Sequence, residues 1–121
     1  MKVLLSVAIL LLVGCSSSEP EIYRTSVNVD LSKLSALLTA VNQITDDELD
    51  AEHLVELANS VAMDDEKQET LPIAYNGKET EILYHVWREQ ADWVHLYFSS
   101  PSEDLIGAIK KATEPFARSS P

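Results

Sequence analysis

Residues 79–98 constrain the fold most strongly, because they contain two consecutive strand-length segments with apolar or aromatic side chains on both faces. Alternation over two residues is the pattern of a β-strand, whose successive side chains point to opposite faces of a sheet. The first segment spans 79–89 and the second spans 93–98. At least one apolar face of such a hairpin has to be covered. The chain therefore has to pack helices against a central antiparallel hairpin.

The dipeptide Asn76-Gly77 predicts a two-residue turn immediately before this hairpin, because a type I′ turn needs positive φ at both central positions. With this turn, Leu71 lies opposite Ile82. Pro72 places the preceding strand at an edge of the sheet or at its own start, since proline cannot donate to the ladder. Residues 70–99 therefore predict a meander of three antiparallel strands.

A second two-residue turn, at Gln90-Ala91, would connect the last two strands. This register places Leu83, His85 and Trp87 on one face with Val94, Leu96 and Phe98. The opposite face then carries the candidate partner-binding residues Tyr84, Arg88, Trp93, His95 and Tyr97. This second face is either covered by another helix or is an aromatic binding surface. Because the register points His85 and His95 to opposite faces, we do not expect them to share a metal ion.

Helical periodicity lies on both sides of the meander. Apolar residues at helical spacing after Asp30 predict a first helix over 31–43, and Thr45 with Glu48 forms a capping box for a second. The polar run 64–69 reads as a solvated loop. A third helix follows a capping box at Ser100–Glu103, with Pro101 at its first position and Pro115 near its end.

The alternation over 23–29 predicts a further strand, whose place in the sheet the pattern leaves open. Residues 118–121 are expected to fray. The combination predicts an α+β fold: an antiparallel sheet of three or four strands, packed by two N-terminal helices and one C-terminal helix.

The first 15 residues carry a separate signal. Lys2 precedes an almost wholly apolar run over 3–13 that ends at Gly14-Cys15. This run is too short to span a bilayer, which takes about 20 apolar residues, but it fits a secretory signal peptide. Residues 12–15, Leu-Val-Gly-Cys, resemble the lipobox of bacterial lipoprotein precursors at every position.

The resemblance implies cleavage after Gly14 and attachment of a diacylglycerol to Cys15, which would then be the acylated N-terminus. Two or more acyl chains hold a protein stably on a membrane, whereas one chain binds marginally. We therefore divide the chain into a signal peptide (1–14), a lipidated cysteine with a polar tether (15–21) and one domain (22–121). Ser16 after the cysteine implies the outer membrane, facing the periplasm, in a double-membraned bacterium.

The chain is strongly acidic, with a formal charge of −11. Loss of Lys2, the only charged residue in 1–14, makes this −12. Such a charge repels nucleic acid and anionic head groups, so a charged partner should be basic. The acids at the start of the second helix, Asp46, Asp47 and Asp50, are a second candidate surface for such a partner.

No motif in the mature part of the chain indicates a specific reaction. The chain has no Gly-x-Ser-x-Gly elbow, and its only cysteine is Cys15. His53 lacks a second helical histidine for a zinc motif. We therefore expect no catalytic residue, metal or cofactor. The main hypothesis is a membrane-anchored, non-catalytic protein-binding or assembly module. One alternative is an immunity or inhibitor protein against a basic toxin or wall hydrolase. The other is a small-molecule carrier that uses the face with Trp93 and Tyr97 and has a pocket between helix and sheet.

Overall fold

The computed structural model describes residues 21–46 and 49–118, which form an antiparallel four-stranded sheet and three α-helices. This α+β fold confirms the predicted fold class. The predicted signal peptide, Cys15 and Asp47 lie outside the described residues. In chain order, the elements are β1 (Tyr23–Asp30), α1 (Leu31–Ile44), α2 (Ala51–Asn59), β2 (Asp65–Tyr75), β3 (Lys78–Arg88), β4 (Trp93–Ser100), α3 (Glu103–Thr113) and a short 3₁₀-helix (Glu114–Phe116).

The strand order in the sheet is β1-β4-β3-β2, and all three neighbouring pairs are antiparallel. The predicted meander therefore forms, and β1 adds to its β4 side, where Val27 pairs with Leu96. This pairing settles the position of the first strand. It also places β3 and β4 in the centre of the sheet.

All three helices pack against one face of the sheet and form a single core with it. The buried helical residues are Leu34, Leu37, Leu38 and Val41 of α1, Leu54 and Ala58 of α2, and Leu105, Ile106 and Ile109 of α3. The sheet contributes Val27, Val29, Ile82, Tyr84, Val86, Val94, Leu96 and Phe98. Within 21–46 and 49–118, no helix or strand covers the other face of the sheet, which we call the open face.

The Asn76-Gly77 hairpin forms as predicted. Asn76 and Gly77 have φ values of 52° and 78°, and Leu71 lies opposite Ile82. Both central residues therefore take the positive φ of a type I′ turn.

The predicted register between β3 and β4 is wrong by one residue. Trp87 pairs with His95, whereas a two-residue turn would pair it with Val94. The longer connection is held by Arg88, whose guanidinium donates to the backbone carbonyls of Gln90 (3.2 Å), Ala91 (2.6 Å) and Val61 (3.1 Å). This shift by one residue places His85 and Trp87 of β3 on the same face as Trp93, His95 and Tyr97 of β4. Tyr84 and Arg88 therefore lie on the other face.

The capping box at Thr45 is also wrong. Thr45 is buried, donates from Oγ1 to the carbonyl of Asn42 at 2.9 Å, and follows the end of α1. The second helix begins at Ala51, after Asp50, whose carboxylate accepts a 3.1 Å hydrogen bond from the backbone N–H of His53. Asp50 therefore takes the N-cap role that the prediction assigned to Thr45.

Residues 64–69 are not a loop, because 65–69 form the first half of β2. Their side chains are polar because this half of an edge strand buries no apolar side chain, while its backbone still pairs with β3. Three side-chain bonds supplement the ladder: Glu69 with His53, Glu66 with His85, and Lys67 with Ser60 at 2.9 Å. Strand formation here depends on backbone pairing rather than on an apolar face.

The C-terminal helix differs from its prediction at its N-terminal end and ends near Pro115 as expected. Its N-cap is Ser102, which accepts from the backbone N–H of Leu105 at 3.2 Å, and not Ser100. The helix ends at Thr113, two residues before Pro115. Arg118 is not frayed, because its backbone N–H donates to the carbonyl of Asn28 at 2.7 Å.

Candidate partner-binding surface

Five ring-bearing side chains lie together on the open face of the sheet, and we call this surface the aromatic-histidine strip. Its members are His85 and Trp87 of β3, and Trp93, His95 and Tyr97 of β4. They are neighbours because the register pairs Trp87 with His95 and His85 with Tyr97. All five side chains remain partly accessible to solvent.

The rings of the strip form two groups of contacts. The imidazole of His95 stacks on the indole of Trp87, with centroids 4.8 Å apart and planes at 24°. On its other side, His95 meets the indole of Trp93 edge to face, also at 4.8 Å. His85 and Tyr97 form a tilted pair at 5.4 Å. Mutual packing of this kind fixes the ring orientations before any partner arrives.

His95 is the most constrained member of the strip. Nδ1 lies 2.7 Å from Oδ1 of Asn28 on β1, and Nε2 lies 3.1 Å from Oε1 of Glu89 in the β3–β4 connection. Only 16% of its side chain is exposed. With both nitrogens bonded and a tryptophan on each side, His95 positions the two indoles.

A depression of about 410 Å³ lies beside the strip. It is lined by Arg24, Glu66, His85, Trp87 and Tyr97. Glu66 hydrogen-bonds Nε2 of His85, and Arg24 donates from Nε to Ser99 Oγ at 3.3 Å. The depression therefore combines two ring walls with a carboxylate on the β2 side and a guanidinium on the β1 side.

Arg118 closes the opposite end of the strip. Its guanidinium carbon lies 4.7 Å from the centroid of the Trp93 ring, and Nη1 lies 3.3 Å from Oδ1 of Asp30. This is a cation–π contact combined with an ion pair. The end of the described chain thus crosses the β1 edge and places a cation on the open face.

Acidic groups predominate around the strip. By strand alternation and hydrogen bonding, the open face carries more carboxylates than guanidinium groups among the described residues. The carboxylates are those of Asp30, Glu66, Glu79, Glu81 and Glu89, and the guanidinium groups are those of Arg24 and Arg118. This excess matches the acidic composition of the whole chain and favours a cationic ligand.

The structure separates the five sheet residues predicted to bind a partner. Trp93, His95 and Tyr97 lie on the strip. Tyr84 lies on the helix-facing side, fully buried, and its hydroxyl donates to the carbonyl of Leu54 at 3.1 Å. Burial raises the pKa of this hydroxyl. Arg88 also points to the helix-facing side, where it holds the loop carbonyls.

The prediction missed His85 and Trp87, which occupy the places given to Tyr84 and Arg88. The error came from the length assumed for the connection between β3 and β4. Residues 89–92 contain neither glycine nor proline, so no local signal selects a turn of two residues over a longer one.

The acidic candidates form a different surface. Asp46 and Asp50 are exposed in the connection between α1 and α2, away from the sheet. Asp46 has a φ of 55°, and the carboxylate of Asp50 caps α2. Asp50 is therefore already engaged in a structural hydrogen bond.

Among the residues that the structure describes, no three His, Cys, Asp or Glu side chains are arranged to hold a metal ion. The three α-helices in 21–46 and 49–118 are all too short or too polar to cross a bilayer. Comparison of the chain with protein-family models, with curated proteins and with solved structures finds no match.

Proposed function

We propose that this chain is a membrane-anchored bacterial lipoprotein whose domain binds a protein partner in the cell envelope without catalysing a reaction. The aromatic-histidine strip is the observation that carries the binding role. The lipobox-like residues 12–15 support the anchor, with lipid on Cys15 and, from Ser16, an outer-membrane position facing the periplasm.

A binding role explains features of the strip that stability alone does not require. Tryptophan, tyrosine and arginine are enriched where proteins meet, and tryptophan contributes strongly to binding energy. Here two indoles and a phenol share the uncovered face of a sheet whose core is complete on its other face. Their orientation is fixed by stacking and by His95, so docking costs little side-chain entropy.

Affinity capture tests the binding role. The full chain, tagged at its C-terminus and extracted from native membranes in mild detergent, should recover a stoichiometric partner. The variant Trp87→Ala should lose that partner. Ile22→Ala is the control, because Ile22 is a large exposed apolar residue that precedes β1 and lies outside the strip. Equal recovery by both variants would contradict the proposal.

Mass spectrometry of the native protein tests the anchor separately. The expected N-terminal fragment begins at Cys15 and carries the mass of a diacylglycerol. A chain that begins at Met1, or an unmodified Cys15, would remove the membrane role without affecting the binding surface.

The acidic surface of α2 supports a second candidate, an inhibitor or immunity protein against a basic toxin or wall hydrolase. Asp46, Asp50, Glu52 and Glu56 are all exposed in or just before this helix. Such a charge accelerates encounter with a cationic partner. Capture of a basic enzyme should then be salt-sensitive and lost in Glu52→Lys/Glu56→Lys, while Trp87→Ala should retain it.

The carrier hypothesis gains no support from the helix–sheet interface. Leu34, Leu37 and Val41 of α1 and Ile109 of α3 are completely buried there. Their side chains occupy the space between helices and sheet in which a carrier would need its pocket.

A further inference from the structure

We infer that Trp87 and Glu66 form a binding position for one arginine or lysine side chain of the protein partner. This inference rests on the proposed function, because it assigns a chemistry to the partner that docks on the aromatic-histidine strip. Three observations lead to it: a cation already bound at one end of the strip, a matching pair of residues at the other end, and the charge of the open face.

The first observation is the cation that the chain itself provides. Arg118 lies over Trp93 at 4.7 Å and pairs with Asp30 at 3.3 Å. The indole supplies the negative face of its π-system, and the carboxylate supplies a full charge beside it. This end of the strip therefore shows which side chain an indole and a carboxylate hold on this sheet.

The second observation is that the opposite end also brings an indole and a carboxylate together, with no lysine or arginine of the described residues over the indole. The carboxylate, Glu66, is hydrogen-bonded to Nε2 of His85. His95 lies 4.8 Å from both indoles, stacked on one face of Trp87 and edge to face with Trp93, so a cation at Trp87 would use the opposite face of the ring. Glu66 is opposite Trp87 in the ladder, as Asp30 is opposite Trp93. Its side chain is 63% exposed, and no lysine or arginine of the described chain forms an ion pair with it.

The third observation concerns space and charge. Trp87 and Glu66 line the depression of about 410 Å³, which exceeds the volume of an extended side chain. Arg24 also lines the depression, but its backbone is on β1, three strand spacings from β2 or roughly 14 Å. It is also bonded to Ser99. A second cation therefore has room on the Glu66 side, and the excess of carboxylates on the open face attracts it.

Indole NMR signals provide a direct test, because the chain has only two tryptophans. The full chain, labelled with ¹⁵N in a non-ionic detergent, is titrated with a blocked Gly-Arg-Gly peptide. The matched control peptide carries citrulline, which keeps the shape of arginine and lacks its charge. The signals are assigned with Trp87→Phe and Trp93→Phe.

The arginine peptide should shift the Trp87 indole signal in a saturable manner. The same peptide with lysine in place of arginine should shift it as well. The citrulline peptide should not. Glu66→Gln should weaken binding of the arginine peptide by roughly two- to fivefold, because an exposed ion pair contributes little to affinity. Glu66 is exposed, so this variant leaves the core intact. In Arg118→Ala, the freed Trp93 should respond to the peptide too.

A Trp87 signal that stays fixed, while Trp93 of Arg118→Ala responds, would overturn the inference. Equal shifts with arginine and citrulline would overturn it as well. Failure of the inference and failure of the proposed function give different results. If Trp87→Ala loses the captured partner but Glu66→Gln retains it, the strip binds a protein without this cation. If no partner is captured and the peptide still shifts Trp87, the cation position exists but the proposed function fails.

Discussion

The hydroxyl of Tyr84 donates a hydrogen bond of 3.1 Å to the backbone carbonyl of Leu54, which ties the centre of the sheet to α2. Both side chains are almost completely buried, and the Tyr84 ring also contacts Phe98 at 5.7 Å. A tyrosine that the alternation pattern placed on a binding surface is therefore part of the core.

Tyr84→Phe should lower the free energy of unfolding by about 1 kcal/mol, because it removes one buried hydrogen bond and keeps the ring. Tyr84→Ala should cost about 3–5 kcal/mol through the cavity that it leaves. Urea denaturation measures both. Tyr97→Phe on the open face is the matched control and should change stability by less than about 0.5 kcal/mol. Similar losses for the two phenylalanine variants would contradict the assignment of faces.

The two glycines of the described chain predict opposite responses to the same substitution. Gly77→Ala should destabilise the protein by about 1 kcal/mol, because alanine is strained at the φ of 78° that the hairpin requires. Gly107→Ala should stabilise it by roughly 0.5–1 kcal/mol, because residue 107 is an exposed helical position with nothing within 4 Å of the new Cβ. Thermal unfolding gives both signs, and equal signs would count against this account of the turn.

Stability should depend on pH through His53 and Glu69, which join α2 to the edge strand β2 at 2.9 Å. The hydrogen bond to Glu69 and its charge raise the pKa of His53 above the ordinary 6.5, and Asp50 and Glu56 add to this. Because the folded-state pKa is raised, the stabilisation is fully present below pH 6.5. It is lost as the pH rises through the folded-state value.

Melting temperatures of the wild type and His53→Gln should therefore differ more at pH 5.5 than at pH 8.5. Glu69→Gln should give the same pattern, since it removes the other partner. Only the difference between each variant and the wild type at the same pH is interpreted. A difference that does not change with pH would show that this pair contributes no proton-linked stability.

Arg88→Lys should destabilise the protein by about 2 kcal/mol. Lysine cannot place donors on three separate carbonyls at once, and carbonyls that lose a charged donor forfeit a strong hydrogen bond. Arg24→Lys is the matched control, because Arg24 makes a single 3.3 Å bond at the surface. Its effect should stay below about 0.5 kcal/mol. If the two variants lose equal stability, Arg88 does not organise the β3–β4 connection.

The parts of the fold that the sequence predicted are those with a local physical signal. Asn76-Gly77 can hardly form anything but the observed turn, and the leucines of α1 have one face to bury. The predicted meander also formed, whereas the place of β1 stayed open, because a further strand could pair with either β2 or β4. Each of these inferences needed only neighbouring residues.

The open face could not be predicted because its register depends on distant contacts. Both possible registers of β3 and β4 give two largely apolar faces, so burial does not distinguish them at the sequence level. The structural difference comes from Arg88, which reaches Val61 across 27 positions of the chain. The all-polar half of β2 was missed for a similar reason, since its partner in the ladder lies elsewhere in the sequence.

The two edge strands of the sheet affect how copies of the protein behave at high concentration. On the edge strand β2, Pro72 has no amide proton, and the first half of the strand carries charged side chains. On β1, the backbone of Arg118 already occupies the carbonyl of Asn28. Neither edge strand offers an uninterrupted row of backbone groups with which another copy could pair. The protein should therefore resist aggregation into continuous β-sheets at high concentration.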